Sequence, residues 1–284
     1  MPAAGVILED GRRRSEVAVP VALDSPMWTQ GQSLFETLLV RPEGAAGLYA
    51  EEEHAQRLVQ SARMLGWPGV PPARRLVEWM RQAARCFRAE HPGFGRMRLT
   101  VAWVRAEAEP VTYVTVVPYS RPRTPLSVAI TPVRVPWPEG MSAAKSGSRV
   151  SYTLAERWAG ERGCDEGLLV DGRGRPVEGA RSNLFLVGER ELVTPPAHSG
   201  VLPGVTRAKV IELARRAGWS VAEAPIDWER LAAAQAVVMT NALWGVRPVE
   251  RLDRRRLPVD GAPVQELKAL YEADVERYLR SRTG

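Results

Sequence analysis

The chain alternates between stretches that repeat apolar residues every three to four positions and stretches that repeat them every two. In "EEEHAQRLVQSARMLGW" the residues Ala55, Leu58, Val59, Ala62 and Leu65 fall on one helical face. Acids fill its first turn, where the helix dipole favours negative charge. "PPARRLVEWMRQAARCFRAE" repeats the pattern through Leu76, Trp79, Met80 and Ala83. "GVILED" and "SEVAVPVAL" are short extended segments at the start. "SLFETLLVR" (Ser33 to Arg41), "RMRLTVAWV" and "VTYVTVVPY" are rich in Val, Leu and Thr and read as strands. Further on, "LSVAITPVRV" predicts a strand and "SYTLAERWAGERG" a helix closed by Gly163. "EGLLVDGRGRPVEGARSNLFLVGERELVTP" predicts short strands joined by glycine turns, with a hairpin at "VDGRG". "LPGVTRAKVIELARRAGW" predicts a helix, with proline and glycine just before its start. "SVAEAPI", "WERLAAA" and "AVVMTNALWGVRPVERL" read as strand, helix and one strand, and "PVQELKALYEADVERYLRS" as a last helix.

Strands and helices mix without strict βαβ alternation, so the expected class is α+β. "SRPRTP" (Ser120 to Pro125) breaks the pattern with prolines and charges. It predicts an interdomain linker at 120–126, between an N-terminal α/β domain (1–119) and a larger C-terminal domain (127–284).

Composition changes this picture little. With 284 residues, 45% hydrophobic and 25% charged, the chain can build one large globular domain or two ordinary ones. The net charge of +6 comes from arginines interspersed with acids, which reads as a solvated surface and not as a nucleic-acid groove. The basic runs "GRRRS" and "DRRRL" lack interleaved aromatics. Two distant cysteines, Cys86 and Cys164, make no disulfide framework, and three scattered histidines give no zinc pattern, so no metal is expected. No secretory h-region opens the chain and no apolar run approaches the ~20 residues of a membrane span. The expectation is a cytoplasmic protein with neither a nucleic-acid nor a membrane partner.

Candidate chemistry begins at "MSAAKSGSRVSYTLAERW". The chain writes arginine almost everywhere, and its three lysines are Lys145, Lys209 and Lys268. Lys145 lies among Ala143, Ala144, Ser146, Gly147 and Ser148, small residues that leave room for something bulky. A lysine amine can form a Schiff base, which arginine cannot; a solvated loop lysine is the plainer alternative. In "PVEGARSNLFLV", Glu178 ends a strand before a tight turn. It is either a surface turn acid or a carboxylate aimed into a cleft, where it would hold a proton on a pyridine nitrogen. In "GVLPGVTR", Gly204, Val205 and Thr206 open a helix, and free N–H groups there suit a phosphate as well as an ordinary cap. Arg57, beside Leu58 on the first long helix, can reach a phosphate bidentately or pair with Glu53 on the helix surface. Together these are the parts of a pyridoxal 5'-phosphate site.

In this order the segments "GQSLFETLLV", "HAQRLVQSARMLG", "KSGSRVSYTLAERWAGERGCDEGLLVD", "VEGARSNLF", "LVTPP", "LPGVTR" and "TNALWGVRPV" resemble the fold-type IV pyridoxal-phosphate enzymes, from Gly31 to about Val249. That family includes branched-chain and D-amino-acid aminotransferases and 4-amino-4-deoxychorismate lyase. The resemblance implies a two-domain fold with a smaller N-terminal α/β domain and a barrel-like α/β C-terminal domain. It also implies a homodimer, a small amino substrate, and the cofactor between the domains. Lys145 resembles the cofactor-bearing lysine, Glu178 the partner of the pyridine nitrogen, and Arg57 a phosphate ligand. Val205 and Thr206 resemble the phosphate-cup residues, and Ser182 and Asn183 fall in the same cofactor-binding set. In the branched-chain enzymes a threonine near "TNAL" touches the phosphate; here that position is Ala242, which leaves Thr240 and Asn241 as candidates. Those enzymes also place a tyrosine five residues after the lysine; here that position is Val150. Phe35 and Thr37, on the early strand, resemble site-lining residues. Arg98, Arg105 and Arg181 are candidates for the substrate carboxylate.

The motif "TNALWGVRPV" and the 21-residue step from Lys145 to Glu166 are closer to the lyase, which makes 4-aminobenzoate for folate biosynthesis. "RAEAEPVTYV" replaces the Gly-rich, arginine-containing loop of lyases, which keeps a class IV aminotransferase as the alternative. A non-catalytic binding protein on the same fold is the reading from another class.

Overall fold

The computed structural model describes residues 5–15, 22–42, 46–93, 95–106, 109–120 and 125–282. Its contacts divide the chain into two compact units. One holds the described residues of Met1–Arg121 with Ala144–Ser148 and Val275–Gly284; the other holds those of Pro122–Ala143 and Arg149–Asp274.

The first unit is an antiparallel sheet in the order β2-β1-β5-β4-β3. Its strands are β1 (Val6–Glu9), β2 (Arg12–Arg13), β3 (Ser33–Val40), β4 (Met97–Arg105) and β5 (Pro110–Pro118). Because strand side chains alternate between faces, Leu34, Glu36 and Leu38 of β3 turn inward and are buried, while Phe35 and Thr37 are half-buried. Helices α2 (Glu51–Leu65) and α3 (Ala73–Glu90) pack on the inward side. The core there joins Leu58, Leu76, Met80 and Phe87 to Leu99, Val101, Trp103 and Val114. Trp67 stacks on Trp103 with ring centroids 5.7 Å apart.

Two differences from the expected elements have local causes. A five-residue helix, α1 (Pro26–Gln30), follows the early segments, where no element was expected. It starts at Pro26, whose fixed φ suits the first helical position, and is too short to show periodicity. The expected segment "SEVAVPVAL" and the linker at 120–126 fall mostly outside the described residues. The Lys145 segment groups with the first unit, unlike in the sequence-based division at 120–126. The N–H of Phe35 donates to the carbonyl of Lys145 (3.0 Å) and that of Gly147 to the carbonyl of Ser33 (2.8 Å), so the segment joins β3 through one antiparallel bridge, Leu34 to Ser146. The end of the last helix, α7 (Ala262–Arg280), also groups there: the Tyr278 hydroxyl donates to Glu51 Oε2 at 3.0 Å.

The second unit carries β6 (Leu126–Arg134), β7 (Glu166–Val170), β8 (Pro176–Gly179), β9 (Asn183–Val187), β10 (Glu191–Thr194), β11 (Ser220–Glu223), β12 (Ala236–Asn241), β13 (Gly245–Leu252) and β14 (Arg255–Arg256). The sheet runs β11-β10-β9-β12-β13-β6-β7-β8, and β8 pairs back onto β9. That last pairing closes β6, β7, β8, β9, β12 and β13 into a six-stranded barrel, which removes its edges. Every residue of β7, β8 and β9 is buried, including the polar Glu166, Glu178 and Asn183. Helix α4 (Val150–Gly160) covers β6 and β7, α5 (Val205–Arg216) lies against β11 and β12, and α6 (Trp228–Ala233) sets Leu231 into the core of this unit. The architecture is α+β with a barrel, as expected. "AVVMTNALWGVRPVERL" is not one strand, however, but the hairpin β12–β13. Asn241 Oδ1 accepts the N–H groups of Leu243 and Trp244, both at 3.0 Å, and so builds the turn.

Among the described residues no helix is long and apolar enough to cross a membrane. Cys86 and Cys164 are free and half-buried.

Candidate functional site

In the first unit, helical spacing sets three side chains of α2 in a row, His54, Arg57 and Ser61, on its buried side. Opposite them stands Glu36, the one acid on the inward face of β3. Arg57 Nε and Nη2 donate to Glu36 Oε1 and Oε2 at 2.8 and 2.7 Å, a bidentate pair. His54 Nδ1 lies 2.7 Å from Glu36 Oε2. Burial pushes the Glu36 carboxyl up, but the charge and hydrogen bonds of Arg57 and the hydrogen bond of His54 outweigh it and hold the carboxyl at about 2. Burial pulls His54 below its usual value; the Glu36 contact opposes this, and the charges of Arg57 and Lys145 add to it. A neutral His54 with its proton on Nδ1 is therefore the donor to Glu36. Lys145 Nζ sits 4.6 Å from the centroid of the Phe35 ring, and its backbone N–H reaches Ser61 Oγ at 3.4 Å. The chain thus brings Lys145, Phe35, Arg57, Glu36 and His54 to one edge of the sheet. Thr37 lies two residues further along β3, on the Phe35 side.

In the second unit, Glu178 near the end of β8 is buried. Its Oε1 accepts from the Tyr152 hydroxyl at 3.2 Å; its Oε2 accepts from the Leu202 N–H at 3.0 Å and from Asn183 Nδ2 at 3.4 Å. Burial pushes the Tyr152 hydroxyl far above its usual value, with the Glu178 charge adding to this, so it stays a proton donor. Asn183 Nδ2 also donates to the Leu202 carbonyl at 2.9 Å, tying the carboxylate to the segment that opens α5. At that opening a Cβ on Gly204 would overlap Asn183 Oδ1, so this close approach needs glycine. Val205 and Thr206 follow, both buried, and no side chain caps the helix. Thr240, fully buried on β12, pairs in register with Asn183, and its Oγ1 has no hydrogen-bond partner among the described residues.

Other expected positions have different tasks. The Ser182 hydroxyl donates to Glu166 Oε2 at 3.2 Å. Both ends of the Asn241 side chain are occupied, by the hairpin turn and by the Arg181 carbonyl at 3.0 Å. Arg181 is partly exposed, donates to the Asp165 carbonyl at 2.7 Å and lies over Trp244. Arg98 is exposed four residues along β4 from the register partner of Phe35. Arg105 shares the strand face of Trp103, not that of Ala102, and reaches Gln32 Oε1 at 3.4 Å.

The amino-transferase class IV model matches residues 33–252, most of the chain and all of the elements just described except β1, β2, α1, β14 and α7. The chain belongs to the amino-transferase class IV family. Class IV enzymes depend on pyridoxal phosphate. The bifunctional aminodeoxychorismate lyase / D-amino acid transaminase of Mycobacterium tuberculosis is 30% identical over 263 residues, covering 84% of this chain and 88% of that protein. The branched-chain-amino-acid aminotransferase of Salmonella typhimurium is 38% identical over 113 residues, covering 39% of this chain and 37% of that enzyme, well under two thirds of its length. The solved branched-chain aminotransferase of Thermoproteus uzoniensis superposes with a TM-score of 0.85 at 24% identity, covering 97% of each chain, which speaks for the fold.

Three residues beside the expected positions escape sequence reasoning. Glu36 and His54 complete the Arg57 pair, and Tyr152 holds Glu178. A signal for Glu36 exists, since it shares the strand phase of Leu34 and Leu38. Tyr152 shares a helical face with Ala155 and Ala159, which turn inward, whereas Val150 is 73% exposed.

Proposed function

We propose that the protein is a pyridoxal-phosphate-dependent lyase that converts 4-amino-4-deoxychorismate into 4-aminobenzoate and pyruvate. The observation that carries this reading is the likeness, along most of both chains, to a relative whose name includes aminodeoxychorismate lyase. The hairpin sequence "TNALWGVRPV" and the outward-facing Val150, where branched-chain enzymes place a tyrosine, support it.

The residues present fit the cofactor. An uncapped helix start behind a glycine that admits no Cβ, and an unpartnered buried hydroxyl on Thr240, are donors suited to a phosphate. Glu178, fixed by Tyr152, Asn183 and Leu202, is the ring-nitrogen partner in this reading. When bound, pyridoxal phosphate supplies an aldehyde and a ring that withdraws electrons from the substrate carbon. Lys145 Nζ would hold the aldehyde carbon until the substrate amine takes its place, and would then accept the proton from the carbon bearing that nitrogen. Glu178 would keep the ring nitrogen protonated by its negative charge. Arg57, with the N–H groups of Val205 and Thr206, would bind the phosphate; Glu36 fixes the guanidinium for that task. Loss of the enolpyruvyl group as pyruvate leaves an aromatic product, which drives the reaction forward.

A class IV aminotransferase is the second reading, favoured by the 38% identity to the Salmonella typhimurium enzyme. Both share Lys145, and both extend to a cytoplasmic homodimer. The deciding assay supplies 4-amino-4-deoxychorismate without any keto acid and follows 4-aminobenzoate. Product under those conditions supports the lyase; product only with a keto acid, or none, rejects it. A colourless purified protein that takes up no pyridoxal phosphate would point to a non-catalytic binding protein instead.

A further inference from the structure

One buried acid has no part in the chemistry above. Glu166 opens β7 and is fully buried. Its Oε2 accepts from the Ser182 hydroxyl at 3.2 Å, and the Arg181 backbone N–H also bonds to the carboxyl. Its Oε1 has no hydrogen-bond partner among the described residues. The charged groups acting on it are the Arg181 guanidinium, 3.9 Å away, and Glu156 of α4, itself 3.1 Å from Arg149 and 3.8 Å from Arg181. On β6 its register partner is the apolar Val128.

The turn that joins β8 to β9 rests directly on this carboxyl. The Gly179 N–H donates to the Ser182 carbonyl at 2.7 Å, and the Ala180 N–H to the Gly167 carbonyl at 2.9 Å. A Cβ on Gly179 would lie 2.5 Å from Ser182 Oγ and 3.1 Å from Glu166 Cδ. The two ends of the turn are Glu178 and Asn183, which pair in register. In the proposed function Glu178 is the partner of the ring nitrogen, and Asn183 ties it to the start of α5.

We propose that Glu166 is a positioning residue whose carboxylate, by accepting from Ser182 and the Arg181 N–H, sets the turn that aims Glu178 and Asn183 at the cofactor. Burial pushes this carboxyl up, against the charge of Arg181, to about 7. It therefore changes charge in the working pH range. A proton on Oε2 displaces the Ser182 donation, and a proton on Oε1 finds no acceptor. Either way the ionised form holds the turn better, and the cofactor is bound more tightly above neutral pH than below it. The inference rests on the reading of Glu178 as the ring-nitrogen partner.

The test titrates cofactor-free protein with pyridoxal phosphate by absorbance at pH 6 and pH 8. Wild type is compared with Glu166→Gln, which keeps the shape of the neutral acid and cannot ionise. The titration of the cofactor itself cancels in the comparison. The ratio of Kd at the two pH values should be about fivefold larger in wild type than in the variant, the size of one lost hydrogen bond. Equal ratios overturn the inference. Ser182→Ala provides a second arm, independent of how well Glu166→Gln folds. It keeps the carboxyl but removes a donor to its ionised form, so the midpoint of Kd against pH should move upward. An unmoved midpoint overturns the inference, whereas a merely structural role for Ser182 would change Kd at all pH values alike. A wild-type chain that binds no cofactor at either pH overturns the proposed function and this inference with it; cofactor binding without the pH difference overturns the inference alone.

Discussion

Replacing Glu36 by glutamine removes a negative charge from between two buried partners and leaves the shape of the site unchanged. The cost follows from the carboxyl's position at about 2, against an ordinary value of 4.5. Each unit of depression stands for ~1.4 kcal/mol of preference for the ionised form in the folded state, so the ion pair contributes about 3 kcal/mol at neutral pH. That agrees with the ~3–5 kcal/mol lost when one member of a buried pair is removed and the other stays charged. The sign sets the pH window. A depressed carboxyl stabilises the fold fully above its unfolded value and loses that contribution as pH falls from 4.5 through about 2. Equilibrium unfolding of the cofactor-free protein in urea should therefore find Glu36→Gln weaker than wild type by about 3 kcal/mol at pH 7, and by only ~1 kcal/mol at pH 3. The double variant Glu36→Leu with Arg57→Met should recover much of the loss, because no uncompensated charge remains. A Glu36→Gln protein within ~0.5 kcal/mol of wild type at pH 7, or one with the same deficit at both pH values, would refute the reasoning.

Four further outcomes test the site. Lys145→Ala should abolish turnover while the circular dichroism spectrum survives, and Lys145→Arg should fail as well, because arginine stays protonated; borohydride treatment of the loaded wild type should fix the cofactor on Lys145, as read by peptide mass. Gly204→Ala forces a Cβ onto Asn183 Oδ1, so it should destabilise the fold by roughly 1–3 kcal/mol and weaken cofactor binding measured by titration. Tyr152→Phe removes the 3.2 Å donor to Glu178, which should cost about 1–3 kcal/mol of stability and shift the absorption of the bound cofactor; an unchanged spectrum would separate Tyr152 from the ring. His54, held below its usual value chiefly by burial, should take up its proton at lower pH than an exposed histidine in a two-dimensional NMR titration, and a midpoint at or above the ordinary value of about 6.5 would refute this.

The elements are legible in the sequence because burial follows periodicity. α2 shows its inward face as Ala55, Leu58 and Ala62, and β3 shows its own as Leu34 and Leu38. The same phase already places Glu36 with those leucines, and His54 with Arg57. A reading by polarity assigns such residues to the surface, since charged side chains are seldom buried. What reverses that assignment is a partner on another element, and no local pattern reports one. The β12–β13 turn hides for a related reason. "TNALWG" is apolar enough to continue a strand, and only the Asn241 side chain, folded back on Leu243 and Trp244, supplies the bonds that end it. Glu178 reads as a turn acid, and donors to it arrive from α4, from Asn183 and from Leu202, up to 26 residues away in sequence. Val150 and Tyr152 bring the two kinds of information together. The resemblance to branched-chain enzymes implies a tyrosine five residues after Lys145, and this chain has valine there. A helix turns each successive residue by about 100°, so side chains two apart cannot share a face. The phase set by the buried Ala155 and Ala159 therefore sends Val150 outward and turns Tyr152 to Glu178. The hydroxyl in this chain thus serves the carboxylate, and the proton that matters is the one it donates to Glu178 Oε1.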